Sequence, residues 1–247
     1  MLITAVVIIV VALIFDFING FHDAANSIAT VVATKVLKPI WAVGWAAFFN
    51  FLAAFFGVHV AATVGKDIIG SRVVDPYLIL AALIGAILWD LITWYAGLPT
   101  SSSHALVGGL VGAALAKFPT IASLHMRGIM KIVVFIVLSP LIGLILGLLI
   151  MTLVSWICRR KHPGKVEKWF RRLQLLSAAS YSLGHGMNDA QKTMGIIWML
   201  LIAINYSPSL SSGMPSFVHW FIIGPAGADI HHVLPPWVKI MCCAAIA

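Results

Sequence analysis

Long apolar runs constrain this chain more than any other feature. Each is about as long as the roughly 20 residues that span the hydrocarbon core of a bilayer. They occupy 2–19, 40–64, 76–97, 98–118, 128–157 and 173–206, and another begins at Pro236. Because 61% of the 247 residues are hydrophobic and only 10% are charged, a soluble globule could not cover this much apolar surface. We therefore predict an all-α, polytopic membrane protein in contact with a lipid bilayer.

The excess of basic residues indicates orientation in the membrane and not nucleic-acid binding. The chain has 16 Lys and Arg against 8 Asp and Glu, a formal net charge of +8. Seven of these 16 cations lie in RRKHPGKVEKWFRR at 159–172, between apolar runs, as cytoplasmic loops do. The expected organisation is a first membrane repeat at 1–158 and a basic cytoplasmic loop at 159–172. The first repeat has about five crossings, including 98–118, which either crosses fully or re-enters.

A short polar motif occurs twice. Residues 20–27 read GFHDAANS and residues 186–193 read GMNDAQKT, so Asp23 and Asp189 are 166 positions apart. Five crossings before the second copy would insert it upside down, giving an inverted repeat with its site near the midplane. The glycine that opens each motif permits a broken helix there. The same offset puts the counterpart of the polar stretch 98–104 near position 265, so we expect 173–247 to be the start of a second, truncated repeat.

Carboxylates inside the apolar runs are candidate functional groups, because each costs about 2.5–3.5 kcal/mol at a helix centre. Asp16 and Asp90 favour a structural interpretation, as carboxylates satisfied by a neighbouring helix. Asp23 and Asp189 lie in the repeated motif and favour ion binding.

The stretch LPTSSSH at 98–104 predicts the start of a helix deep in the protein. Pro99 stops the preceding segment, Thr100 or Ser101 can cap, and hydroxyls fill the first turn. Backbone N–H groups and the positive end of the helix dipole converge there, which makes an anion site. The alternative is a well-capped re-entrant helix without a ligand.

An oxyanion beside Asp23 and Asp189 would be repelled unless a cation or protons neutralised them. Lys192 is the nearby fixed cation, and it either pairs with Asp189 or contacts the ligand. An anion and a cation in one site indicate symport. Histidines beside the motifs are candidate proton relays or structural residues; they are His22, His104 and His185.

At these residues the chain resembles the Pit-type inorganic phosphate transporter family, in its bacterial low-affinity branch. The resemblance is carried by GFHDAANSIAT at 20–30, GLPTSSSHALVG at 97–108 and GHGMNDAQKTMG at 184–195. It implies an inverted-repeat secondary transporter with broken or re-entrant helices in the bacterial inner membrane. Phosphate, carried as such or as a metal–phosphate complex, would be taken up with H⁺ or Na⁺. No cofactor, catalytic residue or resident metal is expected. The predicted substrate and ion site comprises Asp23, Asn26, Ser27, Thr100, Ser101, Ser102, Ser103, Asn188, Asp189, Lys192 and Thr193.

Two other functions fit parts of the pattern. A sulfate permease would use the same scaffold, since helix N–H groups do not by themselves distinguish tetrahedral oxyanions. An intramembrane enzyme would use Asp23 and Asp189 as a proton-sharing catalytic pair, but it leaves the repeat and the serine turn (Ser101–Ser103) unexplained. The sequence leaves open whether the protein forms homo-oligomers.

Overall fold

The chain is built from α-helices that follow the apolar runs. The structure is a computed structural model and describes residues 2–56, 61, 68–69, 74–121, 124–206 and 234–247. Within these ranges no strand forms, and Ile69 and Leu124 make an isolated antiparallel bridge. The helices are α1 (Leu2–Ala33), α2 (Pro39–Leu52) with a 3₁₀ extension (Ala53–Phe55), α3 (Pro76–Tyr95), α4 (Ser102–Lys117), α5 (Met126–Cys158), α6 (Pro163–Tyr206) and α7 (Pro236–Ile246). The predicted all-α class is confirmed.

Three of the described helices are long and apolar enough to cross a membrane: Ile3–Ala33, Pro76–Tyr95 and Met126–Cys158. The second half of the predicted run 40–64 lies largely outside the described residues. Helix α4 has 16 residues and α2 has 14, both shorter than a full span. The number of crossings and the division into repeats therefore stay predictions.

Helices α1 and α6 cross each other in antiparallel directions at the centre of the bundle. Asn19 on α1 contacts Asp189 on α6, while Thr34 lies 2.8 Å from Gln174. As residue numbers rise along α1, the numbers of the residues that face them fall along α6, so the two helices run in opposite directions. The two copies of the repeated motif meet at this crossing, which is the arrangement that an inverted repeat requires.

Helices α3 and α4 form an antiparallel hairpin beside this pair. At the open end, the Asp75 carboxylate caps α3 by accepting from Leu78 N at 2.8 Å and pairs with Lys117 at 2.5 Å. Midway, Gly109 allows the two backbones to touch, because a Cβ there would collide with the Ala82 carbonyl oxygen. The connection between the helices carries residues 98–101 and delivers the serine turn to the bundle centre.

The glycines of the repeated motif act differently from the helix break that the sequence suggested. Helices α1 and α6 run without interruption through Gly20 and Gly186. A Cβ at Gly20 would collide with the Ile246 backbone of α7, and one at Gly186 with the Asn50 backbone of α2. Glycine is thus required for close helix packing, and the non-helical interruption falls between α3 and α4.

The basic stretch 159–172 is mostly helical, although the sequence suggested a loop. Helix α5 ends at Cys158 and α6 already begins at Pro163, so only four residues connect them. Most of this stretch therefore forms the first turns of the 44-residue helix α6. Its cytoplasmic location stays a prediction.

Candidate functional site

The centre of the site is an imidazole held between two carboxylates. The Nε2 atom of His185 lies 3.4 Å from Asp23 Oδ2 and 3.4 Å from Asp189 Oδ2. Its other nitrogen, Nδ1, lies 3.4 Å from Oδ1 of Asn50 on α2. Three helices thus converge on one histidine, which bridges the aspartates of the two motif copies.

Lys192 connects these carboxylates to the serine turn. Its ammonium group donates to Asp189 Oδ1 at 2.6 Å and also to Ser103 Oγ in the first turn of α4. The sequence left two roles for Lys192, a pair with Asp189 or a ligand contact. The structure shows the pair, and it also brings the ammonium group to the predicted anion site.

A second link between the two regions passes through Asn19. Its amide nitrogen donates to Asp189 Oδ2 at 3.2 Å, and its carbonyl oxygen accepts from the Ser102 hydroxyl. Asn19 and Ser102 are both buried. The start of α4 is therefore connected to Asp189 twice, once through a cation and once through an amide.

The backbone at the start of α4 supplies donors that its own side chains do not use. Ser101 is the N-cap residue, and its side chain makes no capping hydrogen bond. The first N–H groups of a helix have no partner within that helix, so those of α4 can donate to a ligand. The positive end of the helix dipole adds to this attraction for an anion.

The other residues predicted for the site differ in their contacts and in their burial. Asn26 extends the cluster, because its amide donates to Asp23 Oδ1 at 3.2 Å, and Thr100 accepts from Trp89 Nε1 at 3.2 Å. Ser27 and Thr193 are buried about one turn after Asp23 and Asp189, whereas Asn188 is exposed. The ligand-binding roles of all these residues stay predictions.

The three histidines proposed as relays occupy different surroundings. His185 is central. His22 donates from Nε2 to the backbone oxygen of Asp90 at 3.0 Å, on the α3 side of the site. His104 is exposed and lines a different cavity, against α5, with Lys131 and Ser139.

Sequence reasoning missed two site residues, Asn19 and Asn50. Both are lone amides in apolar runs, and both are buried. Polar residues in membrane helices are rare and usually face the protein interior. That signal is present in the sequence, but it does not reveal which helix each amide faces.

One group in the described part of the chain has the spacing of a cation site. The ligand atoms of Asp23, His185 and Asp189 all lie within 4.8 Å of one another. Two carboxylates and an imidazole can hold a proton, a sodium ion or a divalent cation. The arrangement thus combines a cation site and an anion site, joined by Lys192.

A profile of the phosphate transporter family matches residues 19–247. The chain belongs to this family. The resemblance carried by the three motifs is confirmed, and so is the location in a membrane. Because its named relatives are transporters, the chain is placed in a transporter family and not among enzymes, which leaves the intramembrane enzyme without support.

Curated relatives in this family are described as probable or named low-affinity inorganic phosphate transporters. The chain is 52% identical over 241 residues to a probable low-affinity inorganic phosphate transporter of Rhizobium meliloti, covering 97% of the chain and 66% of that protein. A protein of Bacillus subtilis with the same description is 44% identical, with coverage of 95% and 75%. Low-affinity inorganic phosphate transporter PitB of Escherichia coli is 34% identical, with coverage of 78% and 44%. The chain thus spans about two thirds of the Rhizobium relative and less than half of the Escherichia one.

The fold also matches a solved structure of a sodium-dependent phosphate transporter. The TM-score is 0.77 at 23% identity, covering 97% of this chain and 74% of that one. This likeness establishes the shared fold.

Proposed function

We propose that the protein moves inorganic phosphate across the membrane together with a proton or a sodium ion. The family match and the names of the bacterial relatives support phosphate as the substrate. The name of the structural neighbour mentions sodium, while the histidine between the two aspartates suits a proton. A proton and a sodium ion are therefore both candidates for the coupling ion.

The observation that carries this proposal is the double contact of Lys192. One ammonium group binds both the Asp189 carboxylate and the Ser103 hydroxyl. Phosphate bound at the start of α4 would accept from the same ammonium group, in competition with Asp189. Occupation of the anion site would therefore change the charge balance at the cation site.

The charges of the site explain why a cation would travel with the anion. Asp23, Asp189 and Lys192 together carry one net negative charge when His185 is neutral, which disfavours an incoming phosphate. A proton on His185 or a sodium ion between the carboxylates brings this sum to zero. Because such charges interact strongly away from bulk water, the cation would raise the affinity for phosphate. By thermodynamic linkage, bound phosphate would raise the affinity for the cation by the same factor.

Uptake of labelled phosphate into proteoliposomes containing the purified protein tests the function. An inward proton gradient is imposed in one set and an inward sodium gradient in another. We expect accumulation with one of the two, which identifies the coupling ion. No accumulation with either, in liposomes where insertion is verified, would contradict the proposal.

Two additions to this assay define the transported species. Excess unlabelled sulfate should leave phosphate uptake unchanged, and effective competition by sulfate would favour the sulfate permease. A requirement for magnesium would support transport of a metal–phosphate complex, and undiminished uptake in a chelator would exclude it.

Variants of the two aspartates test the site. Asp23→Asn and Asp189→Asn should each abolish gradient-driven uptake, because a neutral amide cannot hold the coupling cation, while insertion is retained. Glu167→Gln is the matched control, since Glu167 is exposed on the same helix as Asp189 and pairs with Arg171 at 3.5 Å. Normal uptake by both aspartate variants would remove these residues from the mechanism.

A further inference from the structure

We infer that Asp16 and Thr193 form a second, buried proton site, in which the Asp16 carboxyl group carries the proton and the Thr193 hydroxyl accepts its hydrogen bond. The site is separate from the Asp23, His185 and Asp189 cluster. Its coupling role rests on the proposed transport function, whereas its existence does not.

Both side chains are fully buried and unsatisfied. Asp16 on α1 and Thr193 on α6 are each 0% exposed. Neither oxygen of Asp16 has a hydrogen-bond partner, and neither does Oγ1 of Thr193. The two groups are nevertheless close neighbours, and donation by the Thr193 hydroxyl would favour an ionised carboxylate. Even with that hydrogen bond, an ionised Asp16 would remain a buried charge, which is costly. A protonated Asp16 that donates to Thr193 satisfies both side chains without a charge.

The charged and titratable groups around Asp16 do not neutralise it. On α6, Asp189 repels it and Lys192 attracts it, but Lys192 already binds Asp189 and Ser103. On α7, the thiols of Cys242 and Cys243 lie within its field.

The remaining packed helices add little. Helix α2 carries no titratable residue between Pro39 and Leu52. On α3, Asp90 is coupled to His22 and Asp23, and both of these lie further along α1 from Asp16. An ionised Asp16 would therefore be a buried charge without a dedicated counterion.

A proton satisfies this pair better than a metal ion does. Hard cations surround themselves with about six oxygen ligands or more, and this pair supplies only three side-chain oxygens. Asp16 and the thiols also do not form a group with metal-ligand spacing; in the described part of the chain that spacing occurs at Asp23, His185 and Asp189. A protonated carboxyl group needs one acceptor for its hydrogen, and Thr193 provides it.

The position of the pair connects it to the transport site. Thr193 follows Lys192 directly in α6, and Asp16 lies about one turn before Asn19, which contacts Asp189. Loss of the proton would place a new negative charge within the field of Asp189 and Lys192. Proton release at Asp16 would thus weaken phosphate binding, which couples proton movement to phosphate release.

Difference infrared spectroscopy of the protein in liposomes tests the site without any substrate. At neutral pH we expect a protonated-carboxyl band that is sensitive to deuteration. The band should disappear in Asp16→Asn and remain in Asp16→Glu and in the exposed control Glu167→Gln. Thr193→Val should shift it to higher frequency, because the hydrogen-bond acceptor is lost, and Thr193→Ser should restore it. An unchanged band in Asp16→Asn would overturn the inference, and if that variant fails to fold, an unshifted band in Thr193→Val would do so.

Transport separates the coupling role from the proposed function. With Asp16→Asn, phosphate exchange between equal concentrations should continue, while accumulation driven by a proton gradient is lost. Accumulation equal to that of the unaltered protein would exclude the coupling role. Absence of exchange and accumulation in the unaltered protein would instead contradict the proposed function and leave the infrared result standing.

Discussion

At the scale of single residues, Lys192 connects the carboxylates of the site to the serine turn. Its side chain is mostly buried beside Asp189, and its ammonium group donates to a carboxylate on α6 and a hydroxyl on α4. Lysine reaches both because its long side chain ends in three donors. Its neighbour in the site, His185, is restrained in a similar way by groups from α1 and α2.

Replacing Lys192 with Gln should weaken phosphate binding and leave the fold intact. A hydrogen bond to a charged group contributes about 1.5–3 kcal/mol, so we expect the KM for phosphate to rise roughly tenfold or more. Phosphate uptake over a range of concentrations measures this change. Lys131→Gln is the control, because Lys131 is an exposed cation on α5; an equal rise in both variants would show a general charge effect.

At the scale of helices, close contact at Gly186 determines how α6 packs against α2. Gly186 brings α6 against α2 at Asn50, the residue that contacts His185. The glycine of the second motif thus positions a site residue that lies 136 positions away in the sequence. It does so through backbone contact and not through conformational freedom.

Gly186→Ala should therefore destabilise the protein, and Gly184→Ala should not. A Cβ at Gly186 would collide with Asn50, whereas one at Gly184 meets nothing within 4 Å. We expect a loss of about 1–3 kcal/mol for Gly186→Ala and a gain of up to about 1 kcal/mol for Gly184→Ala, from helix propensity. Thermal unfolding in detergent measures both, and equal stability of the two variants would argue against the close contact.

At the scale of the whole molecule, the helices lie in two environments, a buried core and an exposed surface. Helices α1, α3, α4, α6 and α7 share a buried core, while none of the residues of α5 is buried. Because apolar side chains gain nothing from burial against lipid tails alone, packing contacts determine the stability of the bundle.

Core and lipid-facing leucines should consequently respond differently to truncation. Leu201 is 0% exposed and Leu146 is 51% exposed. Leu201→Ala should cost about 2–5 kcal/mol of stability, since it leaves a cavity, and Leu146→Ala should cost much less. Unfolding in mixed micelles compares the two variants; similar losses would mean that α5 packs as tightly as the core.

The sequence by itself determined the membrane class, the helices and the motifs of the site. Apolar runs of the required length, the repeated aspartates and the serine turn are local patterns, so each can be recognised without knowing its neighbours. The family follows from the same residues. Local patterns also misled at Gly20 and Gly186, because flexibility and close packing both select glycine.

Only the tertiary structure decided which of these groups act together. Asp23 and Asp189 meet through His185, Lys192 reaches Ser103, and His104 lines a different cavity, although the three histidines were equal candidates from their positions in the chain. Asn19, Asn50 and Asp16 acquire their roles from helices that pack against them, and no spacing along the chain encodes such contacts. Position along a helix is a local property, whereas the partner that a buried polar group faces is set by helix crossings.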